Sequence, residues 1–255
     1  MPITATVCAS SANLGPGFDA LGLAVDLTCT VHARPADEDR VRYAGNGNLK
    51  LDTDNLVHQG FRRALEATGR PPIPVDLEIH NDIPLARGLG SSSAALVAGV
   101  LLGDAVAGHA LGTDGVLQLA ADLEGHPDNV APALLGGVVL SAEDEGRWRT
   151  AALPWPNEWK LAFGVPGFEV ATSDARAVLA SSLPRADAVL TASRLAMWPV
   201  ALLTRDPTLL RVASRDVLHE PQRRRLVPGF EASQRALWEA GAWAAYLSGA
   251  GPTLG

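Results

Sequence analysis

Pro84-Leu-Ala-Arg-Gly-Leu-Gly-Ser-Ser-Ser-Ala-Ala95 is a glycine- and serine-rich segment that joins a predicted strand to a predicted helix. Alternating residues predict the strand over 75–80, and an apolar run predicts the helix over 91–109. Gly88 and Gly90 permit backbone angles that other residues avoid. Such a segment presents unpaired N–H groups at a helix N-terminus, where these donors and the helix dipole stabilise an anion. Residues 84–95, the phosphate segment, are therefore predicted to bind a nucleotide phosphate.

The type of phosphate site is narrowed by what the segment lacks. The sequence contains no Gly-Lys-[Ser/Thr], so the segment is not a Walker loop. The chain has two lysines, Lys50 and Lys160, and neither lies near the segment, which argues against the protein kinase fold with its strand lysine. The pattern Gly-x-Ser-x-Gly of a nucleophile elbow is also missing from it.

The composition of the chain excludes several classes of protein. The chain has 255 residues, 47% of them hydrophobic, and a net charge of −7, which argues against a nucleic-acid partner. Two cysteines, Cys8 and Cys29, indicate free thiols and neither a disulfide framework nor a metal site. We see no signal peptide at the N-terminus and no apolar run near the roughly 20 residues of a membrane span. A cytoplasmic protein without a membrane partner is expected.

The order of predicted elements indicates two halves. The first half is predicted to hold strands at 3–9, 20–34, 75–80 and 136–141, helices at 55–68, 91–109 and 113–124, and a short turn or helix at 128–134. Charges, prolines and tryptophans cluster at 142–158 and indicate the passage into the second half. The second half is predicted to hold strands at 160–165 and 244–247 and helices near 173–181, 186–204, 207–217 and 229–241.

A second polar segment is Ala9-Ser-Ser-Ala-Asn-Leu-Gly-Pro-Gly-Phe-Asp19. Taken alone, it is a polar loop before a strand. Asn13 and Asp19 bracket the Gly-Pro-Gly turn, so both side chains can point into one pocket. A carboxylate there suits a substrate ammonium group, and an amide suits a hydroxyl group.

A third segment, Glu124-Gly-His-Pro-Asp-Asn-Val-Ala-Pro-Ala133, places acids and one histidine at a predicted helix end. A single histidine without cysteine argues against zinc. Magnesium prefers one or two carboxylates together with phosphate oxygens and water, a role that suits Glu124 if it faces the phosphate segment. Taken alone, the segment is a set of solvated residues that cap a helix.

These three segments, together with Leu247-Ser-Gly-Ala-Gly-Pro-Thr253, resemble the sequence motifs of the GHMP kinase family in order along the chain. The second and third segments are similar to those of its homoserine kinase branch. In the region of the second segment, sugar and mevalonate kinases usually carry a basic residue and Gly-Glu-His instead. The resemblance implies an α+β, two-domain GHMP kinase fold. An S5-like ATP-binding domain is expected over 1–150 and a ferredoxin-like domain over 151–255, where relatives continue with a further strand, helix and strand.

The resemblance also implies an activity. It implies transfer of a phosphoryl group from ATP, with Mg²⁺, to the side-chain hydroxyl of L-homoserine, giving O-phosphohomoserine on the route to threonine. A homodimer is a family-level expectation. Two alternatives stay open: another GHMP small-molecule kinase, or a ligand sensor of the same fold without catalysis.

Site residues follow from the resemblance by position. The nucleotide contacts are expected at Asn55, Pro84, Leu85, Ala86, Arg87, Gly88, Leu89, Gly90, Ser91, Ser92, Ser93 and Ala94, and the metal contacts at Ser92 and Glu124. The substrate contacts are expected at Asn13, Asp19, His126, Asp128, Arg176 and Arg223, and the catalytic residues are Asn13, His126 and Asn129. Planar guanidinium groups match an α-carboxylate bidentately. Gln222 stands where the family usually has tyrosine, so Arg224 is an alternative to Arg223.

Overall fold

The central layer is one twisted sheet of six strands in the part of the chain that the computed structural model describes, residues 2–45, Leu51 and 54–255. The strands are β1 (Ile3–Asn13), β2 (Gly17–Pro35), β3 (Arg40–Gly45), β4 (Val75–Asn81), β5 (Val138–Asp144) and β6 (Arg147–Leu153). The order is β3-β4-β2-β5-β6, and β1 pairs with β2. Only the β3–β4 pair among these is parallel. The long strand β2 therefore organises the sheet.

The turn between β1 and β2 carries the second polar segment. The two strands are antiparallel, and their register shifts between Ala12 and Asn13, where Asn13 comes to lie opposite Gly17. Asn13 and Asp19 both have positive φ values, 70° and 55°, which asparagine and aspartate tolerate better than most residues. The irregular register thus turns both side chains out of the regular alternation of the sheet.

Four helices belong to the first half: α1 (Leu56–Ala67), α2 (Ser91–Val106), α3 (Gly112–Glu124) and α4 (Val130–Leu135). Helix α2 is largely buried and contributes Val97, Val100 and Leu102 to the main hydrophobic core. It approaches α1 closely at Gly99, where an added Cβ would stand 2.1 Å from the carbonyl oxygen of Val57. Burial on nearly all sides holds α2, and with it the phosphate segment at its start, in a fixed position.

The second half consists mainly of helices: α5 (Thr172–Ala177), α6 (Arg185–Thr204), α7 (Leu210–Ala213), α8 (Glu220–Arg223) and α9 (Phe230–Glu239). One buried cluster joins α6 to the β1–β2 turn and includes Leu14, Leu21 and Trp198. A smaller cluster includes Val170, Phe230 and Leu247. The predicted division at residue 150 stays a prediction, and β6 continues to Leu153 as part of the first sheet.

Several local predictions for the second half were wrong. Residues 160–165 form no strand; Gly164 makes a single bridge to Leu254, and the chain after it bends to give the carbonyl groups of Pro166 and Gly167 to Arg87. The predicted strand at 244–247 is likewise reduced to the bridge between Leu247 and Leu254. The predicted helix at 207–217 is a 3₁₀ turn followed by α7, and it ends before Asp216.

Helix α6 is the one helix, within the described residues, whose length and composition would suit a membrane span, with a mean hydropathy of 1.2. It carries Asp187 and Arg194 and packs Trp198, Ala201 and Leu202 into a buried cluster. Asp187 and Arg194 are half-buried on the same side as these packed residues, and the opposite side exposes apolar residues such as Val189 and Leu203.

Candidate active site

A cavity of about 290 Å³ lies where the four sequence segments meet. Most of the predicted site residues line it: Asn13, Asp19, Asn55, the segment 84–92, Glu124, His126, Asp128, Asn129, Arg176 and Arg223. Ser93 and Ala94 are fully buried beneath it. Residues that are distant along the chain are therefore gathered around one space large enough for a ligand.

The phosphate segment owes its shape to two glycines in the left-handed region. Gly88 and Gly90 have φ values of 73° and 68°. An added Cβ would lie 2.2 Å from the Ser248 carbonyl oxygen at Gly88 and 2.2 Å from the Ser10 hydroxyl at Gly90. Gly90 is the N-cap of α2 and has no side chain to accept hydrogen bonds from the first turn. The first-turn N–H groups can therefore serve an anion.

The last glycine segment, 247–253, packs against the phosphate segment through Ser248. The Ser248 hydroxyl donates to the Gly88 carbonyl oxygen at 2.6 Å and lies 2.7 Å from the Ser11 hydroxyl. The Gly249 N–H donates to the Ala12 carbonyl oxygen at 3.0 Å. The first, second and last of the polar segments are thus joined by direct hydrogen bonds.

Glu124, at the C-terminal end of α3, faces the start of α2. Its Oε1 accepts hydrogen bonds from the Ser92 and Ser93 hydroxyls at 2.6 and 2.9 Å. A carboxylate and two hydroxyl oxygens at the N-terminal end of a helix form an oxygen-rich donor set of the kind that Mg²⁺ prefers. The residues present therefore fit a magnesium ion that also contacts phosphate.

His126 and Asp128, two and four residues after Glu124, form a close pair in the lining of the cavity. His126 Nδ1 lies 2.6 Å from Asp128 Oδ1, which also accepts the Asn129 N–H at 2.9 Å. Burial lowers the pKa of His126, but the hydrogen bond and charge of Asp128, with a contribution from Glu124, raise it above its usual value overall. Asn129 Oδ1 accepts a hydrogen bond from the Ser10 hydroxyl at 2.9 Å.

Asp19 and Arg176 form an ion pair in the lining of the cavity. The guanidinium group of Arg176 donates to both carboxylate oxygens of Asp19 at 2.7 and 3.1 Å. Asn13 supports the turn from inside: its Oδ1 accepts the Asp19 N–H at 3.2 Å, and its Nδ2 donates to the Gly249 carbonyl oxygen at 3.0 Å. Asn13 therefore fixes the backbone that carries Asp19.

Arg223 is buried at the same end of the cavity. Its Nε donates to the Ala175 carbonyl oxygen at 3.1 Å, and its Nη1 donates to that of Gly249 at 2.9 Å. Burial and the positive charge of Arg176 lower the pKa of Arg223 to about 10, so it is still a cation at neutral pH. Arg224 lies outside the cavity, where it is exposed and paired with Glu231 at 2.7 Å.

Asn55 marks the other end of the cavity. It is the N-cap of α1, and its Oδ1 accepts the Val57 N–H at 2.9 Å. Cys29, Tyr43 and Ile79 line the wall beside it. Burial raises the pKa of the Cys29 thiol to about 12, so this wall carries no thiolate near neutral pH. The end is largely apolar and suits a flat ring.

Two residues around the arginines were not singled out from the sequence. Phe18 lies against both guanidinium groups, and the fully buried His219 contacts Phe18 and Arg223. Phe18 is part of the quoted Gly-Phe-Asp sequence, and His219 precedes Arg223 by four residues, a spacing that places two side chains on one helix face. Spacing of this kind was the available signal for His219.

Comparison with known proteins agrees with this geometry. The profile described as "GHMP kinases N terminal domain" matches residues 55–137, and "GHMP kinases C terminal" matches residues 200–255. Homoserine kinase of Thermus thermophilus is 50% identical over 97% of this chain and 84% of that protein. The chain belongs to the homoserine kinase branch of the GHMP kinase family.

Solved GHMP kinase structures share the architecture. A crystal structure of homoserine kinase from Cytophaga hutchinsonii superposes with a TM-score of 0.85 at 32% identity, covering 99% of this chain and 84% of that one. The L. major mevalonate kinase superposes with a TM-score of 0.73 at 15% identity, over 99% of this chain and 86% of that one, and speaks for the fold alone. The predicted GHMP kinase fold is confirmed.

Proposed function

We propose that this chain transfers the γ-phosphoryl group of ATP to the side-chain hydroxyl of L-homoserine, giving O-phospho-L-homoserine. One observation carries the proposal: a single cavity has a phosphate-binding helix end on one side and fixed opposite charges on the other. Asp19 matches the ammonium group of an amino acid, and Arg176 and Arg223 match its carboxylate. The 50% identity to a homoserine kinase supports this choice of substrate.

At the nucleotide end, the main chain does most of the binding. The N–H groups of residues 88–93 are proposed to hold the β- and γ-phosphates, and the apolar wall near Asn55 the adenine ring. Glu124 and Ser92 are the proposed ligands of Mg²⁺, which when bound would neutralise phosphate charge. Ser93 shares the Glu124 carboxylate and holds it in position.

At the amino-acid end, fixed charges orient the acceptor hydroxyl. Because His126 Nδ1 faces Asp128 at 2.6 Å, its Nε2 is left for the homoserine hydroxyl. Asn13 and Asn129 are the proposed neighbours that help to place this hydroxyl for in-line attack. The transition state of phosphoryl transfer is loose, so positioning matters more than a strong general base.

The test is an assay of ADP release with L-homoserine, mevalonate and galactose as separate acceptors. We expect ADP release with homoserine alone. Release with mevalonate instead would assign the chain to another kinase activity of the family. Homoserine binding without ADP release would identify a ligand sensor without catalysis.

Substitution of Asp19 tests the amino-acid pocket directly. Asp19→Ala removes the proposed partner of the substrate ammonium, and kcat/KM for homoserine should fall by roughly a hundredfold or more. Asp26→Ala, at an exposed position of the same strand, is the matched control. Full homoserine kinase activity of Asp19→Ala would rule out this pocket assignment.

The wider setting is also proposed. The product would feed threonine synthesis, and the enzyme would act in the cytoplasm, where the free thiols Cys8 and Cys29 remain reduced. Assembly as a homodimer stays a prediction.

A further inference from the structure

Phe18 is the one aromatic side chain, among the described residues, whose ring lies near the guanidinium groups of both Arg176 and Arg223. The guanidinium carbon of Arg223 lies 5.1 Å from the centre of the Phe18 ring, and that of Arg176 lies 5.5 Å from it. Phe18 is on β2, between Gly17 and the proposed ammonium-binding Asp19. It is half-buried and is not among the residues that line the cavity.

Two arginines that bind one carboxylate must lie close together, and their positive charges repel each other at short range. Arg223 is buried, so little water is present to screen that repulsion. Asp19 neutralises Arg176, but within the described residues Arg223 has no carboxylate partner and is bonded to carbonyl oxygens and to His219. An aromatic face attracts cations through its quadrupole and carries no net charge. Phe18 therefore stabilises both guanidinium groups without occupying their hydrogen-bond donors.

His219 supports this arrangement on the far side. Its ring centre lies 5.3 Å from that of Phe18, and its Nε2 lies 2.8 Å from the Gly15 carbonyl oxygen. A carbonyl oxygen only accepts, so Nε2 carries the proton and Nδ1 is free to accept from Arg223 Nη1 at 3.3 Å. Burial and the charge of Arg223 lower the pKa of His219, although the Asp216 carboxylate acts in the opposite direction, so the neutral ring is favoured.

We propose that Phe18 is a positioning residue that holds Arg176 and Arg223 together for the α-carboxylate of the substrate. The inference rests on the proposed function and adds a specificity element to it. Phe18 contributes only to substrates that bring a carboxylate to the two arginines. An amino alcohol without that group gains nothing from the pairing.

The experiment compares L-homoserine with homoserinol, in which a CH₂OH group replaces the carboxylate. Affinity for homoserinol is measured through its competition with homoserine, so it need not be phosphorylated. In Phe18→Leu, KM for homoserine should rise about tenfold through the loss of two cation–π contacts. KM for ATP, kcat and the affinity for homoserinol should stay within about twofold of wild type.

Three further variants separate positioning from packing. Phe18→Tyr keeps the aromatic face and should restore the KM for homoserine. Phe18→Met is a second non-aromatic replacement. If the leucine variant does not fold, Phe18→Met supplies the same comparison between KM for homoserine and the affinity for homoserinol. Phe163→Leu, at another half-buried phenylalanine, is the matched control and should leave both affinities unchanged.

The outcomes distinguish this inference from the proposed function. If the wild-type protein does not phosphorylate homoserine, the proposed function fails. If wild type is active and Phe18→Leu weakens homoserine and homoserinol equally, Phe18 only packs and the inference is overturned. An unchanged KM for homoserine in both non-aromatic variants overturns it as well.

Discussion

The two ends of the cavity are built in different ways. The phosphate end comes mainly from one continuous segment, 84–93, whose backbone shape depends on two glycines and on the buried helix α2. The amino-acid end gathers charged side chains from positions 19, 126–128, 176 and 223, and holds them by hydrogen bonds to one another and to carbonyl oxygens. The phosphate end is backbone-built, because its shape depends on main-chain conformation. The amino-acid end is charge-built, because it depends on tertiary packing and on charged side chains.

The largest expected effect tests the backbone-built end. Gly88→Ala adds a Cβ 2.2 Å from the Ser248 carbonyl oxygen, so the phosphate segment or the segment 247–253 must move. A displacement near 1 Å in a positioned group costs about a hundredfold in rate, and we expect a loss of this size in kcat/KM for ATP. Thermal-shift measurements should show that homoserine still stabilises the variant and that ATP stabilises it much less.

A matched glycine separates strain from displacement. Gly108 has a similar φ of 79°, and no atom lies within 4 Å of an added Cβ there. Gly108→Ala should therefore show a stability cost of about 1 kcal/mol and normal kinetics. Normal ATP kinetics in Gly88→Ala would mean that the segment tolerates movement, and the contrast between the two ends would be lost.

A smaller effect is expected from Glu124, where a side chain completes the backbone-built end. Glu124→Gln keeps an oxygen near the Ser92 and Ser93 hydroxyls but removes the negative charge that a bound Mg²⁺ would meet. The Mg²⁺ concentration needed for half-maximal activity should rise about tenfold or more, as losses around metal sites commonly do. KM for homoserine should change little.

The control for this substitution is Glu66→Gln, at an exposed position near the end of α1. It should leave the Mg²⁺ titration as in wild type. An unchanged titration in Glu124→Gln would remove Glu124 from the metal site. A parallel rise in KM for homoserine would show instead that the two ends are not separate.

The difference between the ends also explains what could be predicted from sequence. Gly88, Gly90 and the apolar run after Ser91 are local signals, so the phosphate segment and its helix were predictable from a few adjacent residues. The pairing of Asp19 with Arg176 spans 157 residues and depends on how the two halves pack. Family resemblance supplied those positions, because no local rule could.

The wrong or missing elements have local physical causes. Strands β3 and β6 were not predicted. Both are at the ends of the strand order, and although their burial alternates, neither contains a fully buried residue, so their apolar signal is short and weak. The predicted helix at 207–217 is cut short because the Asp216 carboxylate accepts the N–H groups of Leu218, His219 and Glu220 instead. Such a side-chain cap competes with helix continuation.

The smallest expected effect tests the charge-built end through pH. The folded-state pKa of His126 is raised, chiefly because Asp128 offsets the effect of burial, so protonated His126 is favoured in the folded protein. Its stabilising contribution is full below the unfolded pKa of about 6.5 and is lost as pH rises through the folded pKa. The stability advantage of wild type over His126→Gln should thus shrink as pH is raised from about 5.5 to about 8.5. The difference in free energy of unfolding between the two proteins is measured by denaturant titration at each pH.

Asp128→Asn makes this test specific to the pair. Without the carboxylate at 2.6 Å, burial remains as the main influence on His126 and favours the neutral ring. The contribution of His126 to stability should then become flat with pH or increase as pH rises, opposite in sign to wild type. If wild type and Asp128→Asn instead lose stability in parallel with rising pH, His126 does not depend on Asp128. The charge-built end would then be held by something other than its side-chain pairs.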